Sequence, residues 1–203
     1  MSKDEIYNPL DKKHLGESVA IALLQRELIE LSAIEPFDGA GIYAIYYVGD
    51  FEPYTPMAFG NRNGQFDFPV YVGKAIPPGA RKGEFGLEVE AGLALSKRLM
   101  EHRSSTEQAT STLRVEDFFC RILVVDDIWI PLGEQLLIRR FSPIWNKVID
   151  GFGNHDPGSG RYNQQRSKWD TLHPGRPWAG KCAENQQTAE EIISYLSGFP
   201  QTY

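Results

Sequence analysis

Cysteine is nearly absent. Cys120 and Cys182 are the only two in 203 residues, which leaves no disulfide framework and no paired thiols at zinc-binding spacing. A reducing, cytoplasmic location is the expectation that follows. No apolar run approaches the roughly 18 residues of a membrane span, and the opening MSKDEIYNPLDKKH is too polar for a signal peptide. A surplus of positive charge is missing too. Lys and Arg number 21 against 27 Asp and Glu, a formal net charge of −6. For a phosphate-bearing partner that sum is unfavourable, and only the distribution of charge can reverse it. Internal repeats are lacking as well.

What is present suits one domain spanning 1–203 with a sizeable core, at 41% hydrophobic and 24% charged residues. The charge is uneven. The segment from Gly151 to Lys181 carries Arg161, Arg166, Lys168, Arg176 and Lys181 against only Asp156 and Asp170. Lys97, Arg98 and Arg103 cluster, as do Arg139 and Arg140, while acid gathers near the N-terminus, at Glu84 to Glu90 and at Glu190 and Glu191.

Periodicity predicts an amphipathic helix from Glu17 to Ile34, stopped by Pro36 and Gly39. Strands are expected at Gly41–Val48 and Phe68–Gly73, with residues 50–67, rich in turn formers, inserted within their hairpin. A loop with Arg81 and Lys82 at its tip follows, then a helix from Leu87 to Arg103. Phe118–Val125 reads as a strand buried on both faces, and Pro131–Phe141 as a helix ended by Pro143. After an aperiodic stretch, Thr188 and Glu191 stand in capping-box spacing before a last short helix. The fold class is α+β: a small three-stranded antiparallel sheet flanked by helices.

Several residues invite a chemical role, each beside a plainer one. On the helix wheel Val89, Leu93, Ser96 and Met100 form one stripe, with Arg98 and His102 opposite, which alone describes a solvated face. Glu134 shares a face with Leu137, Ile138 and Phe141. A carboxylate there needs an ion pair, hydrogen bonds or a metal, unless it simply complements the helix dipole. Asn146 suits a turn or cap, and Lys74 a solvated strand end. Asn154, His155, Asn163 and His173 suggest a His-Asn-His nuclease site, but the first His-to-Asn gap is too short for that turn.

Along the chain stand GIY (Gly41–Tyr43), YVG (Tyr71–Gly73), Arg98 with His102, Glu134 and Asn146, in that order. This ordered set resembles the GIY-YIG nuclease superfamily between Gly41 and Asn146, with YVG for YIG and a longer stretch between the tripeptides than in most members. The His102 spacing, the basic extension and the phrases CRILVVDDIWIPLGEQLLI and SPIWN are similar to Type II restriction endonucleases that recognise CCGCGG. The resemblance implies a nuclease core at 41–146 and a DNA-recognition extension at 147–203. It implies hydrolysis of double-stranded DNA at a GC-rich palindrome, leaving 5′-phosphate and 3′-hydroxyl ends. It assigns Mg²⁺, with Mn²⁺ as a substitute, to Glu134 and the scissile phosphate to Arg98. Tyr43 would be the general base and pass its proton to His102, with Lys74 as a nearby cation. Tyr71 would orient water or hold the phosphate, and Asn146 would position Glu134 or the backbone.

Arg81, Lys82, Arg161, Arg166, Lys168 and Arg176 are candidates for DNA contact, with ordinary solvated charge as the equal alternative. A palindromic site implies a homodimer, and a restriction enzyme implies a cognate methyltransferase in the host. The competing functions are a homing or repair nuclease of the same superfamily and a non-catalytic DNA-binding module.

Overall fold

The computed structural model describes residues 8–77 and 91–199. Strand β2 (Gly41–Tyr47) is its centre, and every one of its residues is buried. Successive side chains on a strand point to opposite faces, so GIYAIYY supplies two cores. Ile42, Ala44 and Tyr46 pack on one side with Ala20, Leu23, Ile130 and Leu137. Those partners lie on α1 (Lys12–Leu24) and α4 (Ile130–Phe141). Tyr43, Ile45 and Tyr47 pack on the other side with Leu95, Leu99, Trp145, Phe152 and Trp169. The result is three layers, with helices on both faces of the sheet.

The sheet is antiparallel and four-stranded, with β1 at Ile29–Glu30, β3 at Pro69–Ala75 and β4 at Phe118–Val124, in the order β1-β4-β2-β3. The extra strand, β1 (Ile29–Glu30), pairs with Cys120 and Phe119 on the outer edge of β4. It falls inside the helix expected at 17–34, which corrects both that helix and the three-stranded count. α1 begins earlier, where the Asp11 side chain accepts from Lys13 N at 2.7 Å, and ends at Leu24. The apolar spacing of Leu28, Leu31 and Ile34 mimics a helix, but the open ladder of β4 captures the chain instead, a tertiary override of local pattern. A side chain at Gly16 of α1 would collide with Leu136 on α4, so this glycine permits the close approach of the two helices.

β4 is less covered than expected: Phe118 and Cys120 are buried but Val124 is 50% exposed. The stretch inserted between β2 and β3 folds onto the sheet as α2 (Thr55–Arg62). Its buried Asn61 staples the hairpin. The amide donates to Tyr47 O at 3.0 Å and Phe68 O at 2.9 Å and accepts from Phe68 N at 3.1 Å. The expected capping box is present on the final helix, α7 (Ala189–Ser197). The extension is part of the same core, since Trp169 and Leu172 on α6 (Lys168–Leu172) and Ile192 and Leu196 on α7 join the Tyr43 cluster. Among the described residues no helix is long and apolar enough to cross a membrane.

Candidate active site

Strand register brings the two phenols together. Tyr43 lies opposite Gly73, and Ile45 lies opposite Tyr71. Tyr71 and Tyr43 are therefore diagonal neighbours on one face, with ring centroids 6.2 Å apart. Gly73 makes this possible: a methyl group on it would fall on the Tyr43 hydroxyl and 2.8 Å from Tyr71 Cε1. Gly41 is equally constrained, because a side chain there would strike the Leu123 carbonyl of β4. Asn146, on α5 (Ile144–Lys147), grips the outer edge of β3. Its side chain accepts from Val72 N and donates to Val72 O, each at 2.8 Å. Of the two tasks expected of Asn146, its contact is with the backbone between Tyr71 and Gly73.

Helix α3 (Ala94–Gln108) supplies the next pair. Its buried face is Leu95, Ser96, Leu99, His102 and Thr106, whereas Leu93 is 50% exposed. The wheel expected from sequence is thus rotated, and His102 points inward rather than to solvent. The Tyr43 hydroxyl lies 2.6 Å from His102 Nε2. Burial pushes the Tyr43 phenol well above its usual range, aided by Tyr71 and opposed by Arg98. Burial also holds the His102 imidazole well below its ordinary value, with Arg98, His155 and Arg176 adding to the effect. A protonated phenol beside a neutral imidazole lets Tyr43 donate to His102 Nε2 in the tautomer that carries its proton on Nδ1. The Tyr71 phenol is raised as well, by burial first, while Arg98 works against it.

Arg98 points into a loop that sequence reasoning passed over. Its Nη2 donates to Gly153 O at 2.8 Å, and its Nη1 donates to His155 Nε2 at 2.6 Å and to Glu101 at 3.2 Å. Phe152 stacks on the His102 ring at 4.3 Å and 14°. His155 carried a signal, since it stood out with Asn154, but the signal suggested a different nuclease geometry. Gly153, Phe152 and Glu101 gave none.

Glu134 on α4 faces Lys74 on β3 with 2.6 Å between Nζ and Oε2, and its side chain is 16% exposed. Both line a cleft of about 610 Å³ together with Tyr71, Lys97, Arg98 and His155. Gly133 lets α4 sit this close, because a methyl group there would lie 2.6 Å from Val19 and 3.0 Å from Ile42. Among the described residues no group of three or more His, Cys, Asp or Glu converges to hold a metal. A single carboxylate in an open cleft fits only a hard cation that keeps most of its waters, such as Mg²⁺. The Lys74 ammonium beside it shows that the carboxylate already favours positive charge there.

The expected DNA contacts divide. Arg81 and Lys82 lie outside the described residues. Arg161 is exposed. Lys168 is half-buried at the start of α6, and half-buried Arg166 donates to Ala179 O at 3.1 Å. Arg176 is a correction, being only 3% exposed and paired with Asp170 inside the extension. A buried guanidinium needs such a partner, and this one has no surface to offer DNA.

Among curated proteins none matches this chain. A family model described as the Eco29kI GIY-YIG domain matches residues 35–199. The two phenols, Arg98 and Glu134 therefore lie in a GIY-YIG nuclease of the restriction endonuclease kind, with DNA as its substrate. The chain belongs to the Eco29kI GIY-YIG domain family.

Proposed function

We propose that the protein is a Type II restriction endonuclease that hydrolyses both strands of a GC-rich palindrome, CCGCGG, leaving 5′-phosphate and 3′-hydroxyl ends. The observation that carries this is the convergence of Tyr71, Arg98 and the Lys74–Glu134 pair on one cleft, with the buried Tyr43–His102 pair packed against Tyr71. Hydrolysis needs an aligned water, a base and stabilisation of charge on the phosphoryl group.

Tyr43 is protonated before substrate binds, so it acts as a relay: its oxygen takes the water proton as its own proton passes to His102 Nε2. The cations around His102 oppose that charge, and a DNA phosphate entering beside Arg98 offsets them. Arg98 presents its planar fork to the phosphate, Tyr71 orients the water, and Asn146 keeps the two phenols in register through Val72. Glu134 would hold Mg²⁺, for which Mn²⁺ would substitute, and such an ion would stabilise phosphoryl and leaving-group charge. Lys74 pairs with the same carboxylate at 2.6 Å.

A palindromic target calls for a two-fold dimer with one site on each strand. The extension, through Arg161, Arg166 and Lys168, lies along the DNA. A cognate methyltransferase protects the host chromosome, and the enzyme works in the cytoplasm.

Cleavage of a plasmid carrying CCGCGG, with Mg²⁺, should give discrete fragments whose ends religate. Glu134→Gln should keep DNA binding in a mobility-shift assay and lose cleavage. Cutting by that variant at the wild-type rate would remove the metal from Glu134. Random nicking by the wild type would point to a homing or repair role.

A further inference from the structure

Among the described residues, Arg176 and Asp170 form the most completely satisfied ion pair. The Arg176 Nε donates to Asp170 Oδ1 at 2.6 Å and its Nη2 to Asp170 Oδ2 at 2.7 Å. The remaining donors reach three carbonyls of one loop: Gly151 at 2.8 Å, Asn154 at 3.1 Å and Phe152 at 3.2 Å. All five guanidinium N–H groups are thereby used. The rings of Trp169 and Trp178 lie 4.5 and 4.7 Å from its charge. The far side of the same loop touches the active site, through Gly153 O and His155 on Arg98 and through Phe152 on His102.

We propose that loop 151–155, locked from behind by Arg176 and Asp170, is a positioning element that aims Arg98 and seats His102. This rests on the nuclease assignment, in which Arg98 meets the phosphate and His102 receives a proton. Arg176 never touches substrate. It fixes the loop backbone, and the loop restrains the long Arg98 side chain, which would otherwise sample several rotamers, while Phe152 sets the plane of the His102 ring. Orientation is where small displacements matter most for the rate of a bound complex.

Two full-length variants test this. Gly153→Ala would place a methyl group 2.7 Å from Arg98 Nη2 and 3.0 Å from Tyr71 Oη, and the Gly153 backbone is not in the left-handed region. Its turnover on plasmid with Mg²⁺ should drop roughly 10- to 100-fold while half-saturating DNA and Tm stay near wild type. Arg176→Lys keeps a cation opposite Asp170 but has too few donors for three carbonyls. Its turnover should fall by a similar factor.

In histidine-labelled, DNA-free protein the His102 ring resonances should shift in both variants as the Phe152 stack loosens. A Gly153→Ala enzyme that turns over at the wild-type rate, or a folded Arg176→Lys protein with unmoved His102 resonances, would overturn the proposal. Should Arg176→Lys not fold, Gly153→Ala decides through both readouts. Absence of any cleavage by the wild type would count against the nuclease assignment, and the His102 resonances would still decide the loop's role.

Discussion

Among the described residues two buried tyrosine–histidine pairs look alike by distance. Tyr43 meets His102 Nε2 at 2.6 Å, and Tyr54 meets His173 Nε2 at 2.7 Å. Burial depresses both imidazoles and raises both phenols. Their surroundings differ. Tyr54 also accepts from Trp145 Nε1 at 2.9 Å, and His173 Nδ1 lies 2.8 Å from Thr112 Oγ1. Those partners are neutral, and desolvation is the cause of the His173 shift, to about 3. Around Tyr43 and His102 the causes include Arg98, Glu134 and His155, and Tyr71 and Arg98 open onto the cleft. A perturbed pair becomes a candidate for catalysis only when charge and access accompany it. The Tyr54 pair ties the inserted segment to the extension.

The sharpest way to break this comparison is to remove each hydroxyl. Tyr43→Phe should cut the cleavage rate by about 10²- to 10⁴-fold, as expected for loss of a positioned proton-transfer group, with DNA affinity retained. Tyr54→Phe should leave the rate per folded molecule at the wild-type level. Its cost is stability, about 1–3 kcal/mol, because Trp145 Nε1 and His173 Nε2 lose their buried partner. Urea midpoints and single-turnover rates separate the two. Equal kinetic effects from both variants would abolish the distinction.

The histidines make a second, smaller test. Both are neutral in the fold, and an unfolded histidine takes up a proton near pH 6.5. As pH falls below that value the unfolded state binds protons that the native state refuses. Stability therefore declines from about pH 6.5 down to the folded value of about 3 for His173. Each buried histidine should contribute roughly 1.4 kcal/mol per pH unit in that window. Stability at pH 7 and above should be insensitive to either group. His173→Gln should halve the acid slope while sparing activity at neutral pH, measured by urea unfolding across a pH series.

The smallest effect belongs to the surface. Arg161→Ala should weaken DNA binding evenly across sequences and lower the salt slope of log K by about one. An unchanged slope would remove Arg161 from the phosphate contacts.

Strand β2 was legible in the sequence because a seven-residue β-branched and aromatic run has few alternatives, and the capping box on α7 because its signal is local. The register that puts Tyr43 beside Tyr71 was implicit in the two tripeptides, although no strand pattern states why a glycine must face a phenol. Failures came where tertiary contacts outrank local pattern. β1 was hidden in helical spacing, and the wheel alone left His102 on a solvated face, because the buried face of α3 is set by the sheet beneath it; only the family resemblance paired His102 with Tyr43. Arg176 was misread from its charge. Asp170, one of only two acids between Gly151 and Lys181, was the available clue. Loop 151–155 was illegible, since the contact of Arg98 with Gly153 spans 55 positions.

The extension is not an appendage, because its tryptophan, leucine and isoleucine side chains complete the core on which Tyr43 rests. This segment cannot be exchanged wholesale with that of a relative, since the graft would have to rebuild the interior as well. Change that leaves the fold intact must come residue by residue on the outward surface, so the extension and the catalytic core are one unit of stability.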